Sequence, residues 1–267
     1  MKRYSLVCIF ALVFLGCASS PQIEKPQYTQ RHYTFSILLD PEQPGRSPQL
    51  DLAMSLLQME YPAEQAEYLN NALYSVPSLD EYKDYVINEQ RNIYRGKAVE
   101  MAQSGINNEP NHNWWYSETV DIKESMGQGL IVERDYHFYT GGAHPGKTKL
   151  YYVFDMSEYR QLRIDDFFTN FPREPRLRDI IYDELRKYSN LTKTQPLSEG
   201  IFFNDEPELR SSFFITQEGL GLHWDPYQIA PYAVGYIEII VPWNAIRPMM
   251  SYTGIELLTK FNIYLFM

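Results

Sequence analysis

The chain has 267 residues, 44% of them hydrophobic and 15% aromatic, with a formal net charge of −10. That acidity argues against nucleic acid or an anionic membrane face as a partner and is compatible with a cationic protein. The two cysteines, Cys8 and Cys17, both lie at the extreme N-terminus, so the chain beyond residue 17 has no disulfide framework and no cysteine nucleophile.

Lys2 and Arg3 precede an apolar run from Leu6 to Leu15. A spanning helix needs about 20 apolar residues, so this shorter run reads as an export signal. Phe14-Leu15-Gly16-Cys17 places a small residue before cysteine in the manner of a lipobox. The expectation is a lipoprotein signal peptide over residues 1–16 and acylation of Cys17; an ordinary signal peptide with a chance cysteine is the competing reading. Loss of the leader removes Lys2 and Arg3 and makes the remainder more acidic. Residues 17–32, rich in Ser, Pro, Gln and Glu, read as a tether to the folded body. The expected location is the cell envelope, on the periplasmic or cell-surface side of a bacterial membrane.

Tyr33–Leu39 alternates as a first strand, closed by Asp40-Pro41, and Pro48–Met59 is predicted helical, ended by Tyr61-Pro62. Ser78–Gln103 is the clearest helix, with a Ser78/Glu81 capping box and Leu79, Tyr82, Val86, Ile93 and Met101 near one face. Trp114–Lys123 and Leu130–Tyr139 are strands about a Gly127/Gly129 turn, and Thr148–Phe154 is another. Alternation through Trp114-Trp115-Tyr116 buries at least one Trp. Asp165 is placed as the N-cap of a helix, and Arg176–Tyr188 as an amphipathic one. Strands follow at Phe213–Thr216, Leu220–Trp224 and Tyr236–Val241, with a last one at Phe261–Phe266. The order predicts an α+β fold, an antiparallel-dominated sheet packed with two or three helices. Residues 33–160 and 161–267 are its two parts, expected to form one compact unit.

Several phrases in order resemble one bacterial extracytoplasmic family. They are Tyr136-His137-Phe138-Tyr139-Thr140-Gly141-Gly142-Ala143-His144, Tyr152-Val153-Phe154-Asp155, Leu162-Arg163-Ile164-Asp165-Asp166-Phe167-Phe168, and Asp225-Pro226-Tyr227-Gln228-Ile229-Ala230-Pro231-Tyr232-Ala233-Val234-Gly235. They look like the domain shared by the lysozyme-sensing anti-sigma factor RsiV and the peptidoglycan deacetylase PdaC, over about residues 33–247. The resemblance implies an extracytoplasmic module that, in RsiV, binds lysozyme; it carries over neither transcriptional signalling nor deacetylation, because no corresponding segment accompanies the phrases here.

Gly141, Gly142 and His144 form the sharpest local feature. Glycines let a backbone approach a ligand, and His144 offers an acid, base or hydrogen-bond donor; the plainer reading is a turn after a strand. Asp225, Tyr227 and Tyr232 either shape an aromatic binding cleft or make a packing corner before Tyr236. No fixed His spacing marks a metal site, no Gly-x-Ser-x-Gly or phosphate loop is present, and no catalytic residue or cofactor is assigned. The leading expectation is a non-catalytic binding or inhibitory module for a lysozyme-like cationic protein or a peptidoglycan fragment. The alternatives are an envelope glycan hydrolase or deacetylase using His144, and a structural scaffold lipoprotein.

Overall fold

The structure is a computed structural model describing residues 27–104, 113–209 and 212–265. The expected signal peptide and Cys17 lie outside the described residues. Among the described residues, nine strands form two sheets. The larger contains β1 (Gln27–Leu38), β2 (Gln49–Tyr61), β3 (Trp114–Met126), β4 (Gly129–Tyr139), β5 (Gly146–Asp155) and β6 (Arg160–Leu162), side by side in chain order. All neighbours are antiparallel except β2 and β3. A parallel pair needs a long crossover. Here it is supplied by α1 (Ala63–Tyr74) and α2 (Leu79–Gln103). The smaller sheet is antiparallel: β7 (Phe213–Ile215), β8 (Gly219–Trp224) and β9 (Ile237–Pro242). The α+β, mostly antiparallel architecture is as expected, with more helices than two or three. Beyond α1 and α2 come α3 (Ile164–Phe167), α4 (Pro175–Tyr188), α5 (Trp243–Ile246) and α6 (Tyr252–Lys260).

Side-chain alternation along β4 and β5 divides the molecule into two cores. Leu130, Val132 and Phe154 face α1 and α2, where they meet Leu69, Leu73, Val86 and Trp114. Ile131, Tyr151 and Val153 face the smaller sheet and α4, where they meet Phe214, Leu222, Ile181 and Leu185. The larger sheet is therefore covered on both sides at β4 and β5. Trp114 is fully buried against α2, edge-on to Tyr94, and Trp115, on the opposite face, is half-buried.

Four local expectations are corrected. Residues 48–59 are strand, not helix: Leu50, Leu52, Met54 and Leu56 alternate inward with a period of two. Gln27–His32 belongs to β1, not to the tether, because its polar side chains find cross-strand partners; Arg31 Nε donates to Gln58 Oε1 at 3.0 Å. Asp165 is exposed and does not cap α3. Arg163 occupies the N-cap, and its N–H donates to the Asp166 carboxylate at 2.6 Å. Phe261–Leu265 is not a strand; Phe261 and Ile263 are instead buried directly after α6.

The Ser78 cap is as expected: Ser78 Oγ accepts from the Glu81 N–H at 3.2 Å. No described helix is long and apolar enough to cross a membrane.

Candidate functional site

The β4–β5 hairpin closes with Phe138 opposite Gly146, and Tyr139 still pairs with Trp115 of β3, so residues 140–145 project beyond the sheet. Gly141 and Gly142 have φ of 78° and 126°, values that favour glycine. A Cβ at either would meet nothing within 4 Å, so the tip is open. Tyr139 braces it by donating to Gly142 O at 3.0 Å.

Past this tip, His144 of the same loop packs against a second loop, residues 225–236 between β8 and β9. Its ring stacks on Tyr232 with centroids 4.0 Å apart and planes 24° apart. His144 Nδ1 is 2.9 Å from Pro145 O and Nε2 is 3.2 Å from the Tyr227 hydroxyl. A carbonyl only accepts, so the contact with Pro145 places a proton on Nδ1, and Nε2 lies within hydrogen-bond distance of the Tyr227 hydroxyl. Tyr227 is 57% exposed and adopts φ of 69°, an uncommon conformation for a bulky residue. Its N–H donates to Ala230 O at 3.1 Å, which helps hold the turn. His144, Tyr227 and Tyr232 thus form one partly exposed aromatic cluster beside the open Gly141-Gly142 backbone.

Asp225 belongs to a different network. Its Oδ1 accepts from the Lys149 N–H at 2.9 Å and lies 3.0 Å from His223 Nε2. It ties the second loop to β5 and does not join the aromatic cluster. His223 is only 2% exposed, and its Nδ1 lies 3.1 Å from Glu238 Oε1. Tyr151 donates to Glu238 at 2.6 Å and lies 3.0 Å from Glu133, which pairs with Lys149 at 3.0 Å. Burial opposes charge on His223, but bonds to Asp225 and Glu238 outweigh it and raise its pKa above the ordinary value. Burial likewise pushes Glu238 up, and the bonds from His223 and Tyr151 bring it down to about 2. Glu133, Lys149, Tyr151 and Glu238 carry no local sequence signal that marks them for this network. Glu238 is readable only as the polar position of an otherwise apolar strand.

The contacts of His144 are a carbonyl and two phenol rings, with no carboxylate among them. His223 has two carboxylates but is enclosed. Among the described residues, no group of three or more His, Cys, Asp or Glu side chains is arranged to hold a metal ion. The exposed cluster is built for stacking and hydrogen bonding.

Residues 165–244, which include Tyr227 and Tyr232, match the family described as "Protein of unknown function (DUF3298)". The crystal structure of a DUF3298 family member from Bacteroides fragilis is similar at a TM-score of 0.69 and 19% identity, covering 86% of this chain and 95% of that one. The fold is therefore shared. The crystal structure of a DUF3298 family protein from Pseudomonas aeruginosa aligns at a TM-score of 0.47 and 14% identity, covering 85% of this chain and 96% of that one. No curated protein sequence matches the chain.

Proposed function

We propose that this chain is a lipid-anchored, non-catalytic binding module of the bacterial cell envelope. Its contact surface is the His144–Tyr227–Tyr232 cluster, and its ligand is a lysozyme-like cationic protein or a peptidoglycan fragment. One observation carries the reading: two loops, 83 residues apart between His144 and Tyr227, converge to present three aromatic rings to solvent. Tyr rings give large, rigid contact area at little entropic cost, which suits both sugar rings and protein hot spots. The resemblance of the loop phrases to the module of RsiV and PdaC supports the same surface. The net charge of −10 favours attraction of a basic partner. The lipobox supports attachment through Cys17.

Calorimetric titration with lysozyme at low and high salt, and with soluble muropeptides, tests the reading. One of the two ligands binds, lysozyme more weakly as salt rises, and Tyr232→Ala removes binding. Absence of binding to both at low salt, or binding indifferent to Tyr232→Ala, overturns it. Labelled palmitate entering the wild type and not Cys17→Ser tests the anchor.

A further inference from the structure

β1 is the first strand of the larger sheet and pairs only with β2. Along 12 residues, one row of its backbone N–H and C=O groups therefore has no strand beside it among the described residues. The other sheet edges are short: β6 and β7 have 3 residues each and β9 has 6. Natural edges are blunted by shortness, proline, charge or bulges. Gln27–Leu38 contains no proline and carries Arg31 as its one full charge. Its one register irregularity lies at the far end, between Gln27 and Tyr28.

The flank beside this edge is apolar and half covered. Tyr33, Phe35 and Ile37 pack against the core under α2 but are only partly buried, while Thr34 and Ser36 between them are exposed. α2 runs alongside in the same direction as β1. Lys83 Nζ lies 5.9 Å from the centre of the Tyr33 ring, and about two turns further on Arg91 Nη2 donates to Leu38 O at 3.4 Å. The helix is acidic where it meets Tyr33: Asp80 and Asp84 lie 3.8 and 3.4 Å from Lys83 Nζ, and Glu81 stands between them in sequence. It turns basic toward Leu38, with Arg91 and Arg95.

One symmetry operation matches all of these features. A two-fold axis normal to the sheet at Phe35 lays β1 antiparallel to a second copy of itself. Phe35 then stands opposite Phe35, Tyr33 opposite Ile37, and Thr34 opposite Ser36. Every opposed pair has the same facing, so apolar side chains meet apolar ones and polar side chains meet polar ones. The free backbone row finds its hydrogen bonds in the same step. Because α2 follows β1, the rotation also sets the acidic start of each helix beside Arg91 of the other copy, once at each end of the interface. An unrelated strand could satisfy the backbone but not this doubled charge pattern.

We propose that the chain forms a two-fold dimer through β1, joining two six-stranded sheets into one of twelve strands. β1 lies three strands away from the β4–β5 hairpin that carries His144, so the dimer does not depend on the function assigned to that surface.

Disulfide trapping in membranes from cells making the full-length protein tests the register, with the wild type, whose only cysteines are Cys8 and Cys17, as background. Phe35→Cys gives a linked dimer on mild oxidation, because opposed Cα atoms in an antiparallel pair are about 4.5–5.5 Å apart, within disulfide reach. His32→Cys, which lies opposite residue 38, sits about 20 Å from its own copy and gives no link above background. Native mass spectrometry of the unmodified protein shows a dimer in the micromolar range. Asp84→Arg, at an exposed position, sets like charges together and lowers the association constant about ten-fold, and Asp84→Arg/Arg91→Asp restores it. Wild-type protein that stays monomeric throughout that range overturns the proposal. So does equal trapping of Phe35→Cys and His32→Cys. Association unchanged by Asp84→Arg, or not restored by the charge swap, overturns it as well.

Discussion

His223 stands directly opposite Glu238 across β8 and β9, with Nδ1 3.1 Å from Oε1, while Nε2 lies 3.0 Å from Asp225 Oδ1. Both ring nitrogens thus face carboxylates, and only the imidazolium can donate to both. Neutral histidine would leave a lone pair against one of them. The charged form is therefore part of the folded structure, clamping β8 to β9 and, through Asp225, to the Lys149 N–H of β5. Lys149, Tyr151 and Tyr236 also face this seam.

A histidine with a raised folded pKa stabilises fully below its unfolded value, near 6.5, and loses that contribution as pH climbs through the folded value. Urea unfolding between pH 5.5 and 9 should show wild-type stability falling across the upper part of the range. His223→Gln should be flatter there and less stable by about 2 kcal/mol at pH 6. Glu238 has the opposite sign: its contribution is present above about pH 4.5 and is lost as pH falls toward about 2. Parallel pH profiles for wild type and His223→Gln would refute the clamp.

The Glu118–Arg134 pair makes a different kind of contribution. Glu118 has a fully buried side chain, and three groups donate to it. Removing one partner strands the other's charge, so Glu118→Leu and Arg134→Met should each cost about 3–5 kcal/mol. The double variant Glu118→Leu/Arg134→Met, with apolar replacements of similar volume, should recover most of that loss. Chemical denaturation of the four proteins measures the coupling; additive losses would mean the pair does not act as a unit.

The sequence is legible where local chemistry and tertiary packing agree. The Ser78 cap, the amphipathic α4 and the Gly-marked hairpins all fall where the residues place them. Residues 48–59 read as helix because Leu, Met, Ala and Gln favour it, whereas Leu50, Leu52, Met54 and Leu56 carry a two-residue period that burial between β1 and β3 enforces. Glu118 sits in phase with Trp114, Tyr116 and Val120, an acid on a buried face, and that phase is the available signal for its pairing. Its partner is not readable, because strand register places Val120, not Glu118, opposite Arg134. His144 and Tyr232 are each visible, but their stacking needs two sheets to meet at one end. Asp225 is drawn to the same surface in sequence because it precedes Tyr227 by two residues, yet its carboxylate is turned to His223.

Tyr227 separates stability from binding. At φ of 69° a bulky residue bears a backbone cost of about 1–2 kcal/mol that glycine does not. Its ring is mostly exposed, so little burial offsets that cost. Tyr227→Gly should unfold at the same or a higher temperature while losing affinity for the ligand of the loop surface. A lowered melting temperature would mean that the ring is there to hold the turn.

Gly146 and Gly141 bracket the same loop and resist substitution for different reasons. A Cβ at Gly146 would fall inside contact distance of the Phe138 ring, whereas one at Gly141 meets nothing but would sit at φ of 78°. Gly146→Ala should cost about 1–3 kcal/mol by overpacking, relieved when Phe138 is shortened to Leu. Gly141→Ala should cost about 1 kcal/mol through the backbone alone, and Phe138→Leu should not relieve it. Denaturation midpoints for the two alanine variants, alone and with Phe138→Leu, decide it: rescue of both or of neither would show that side-chain contact is not what makes Gly146 obligatory.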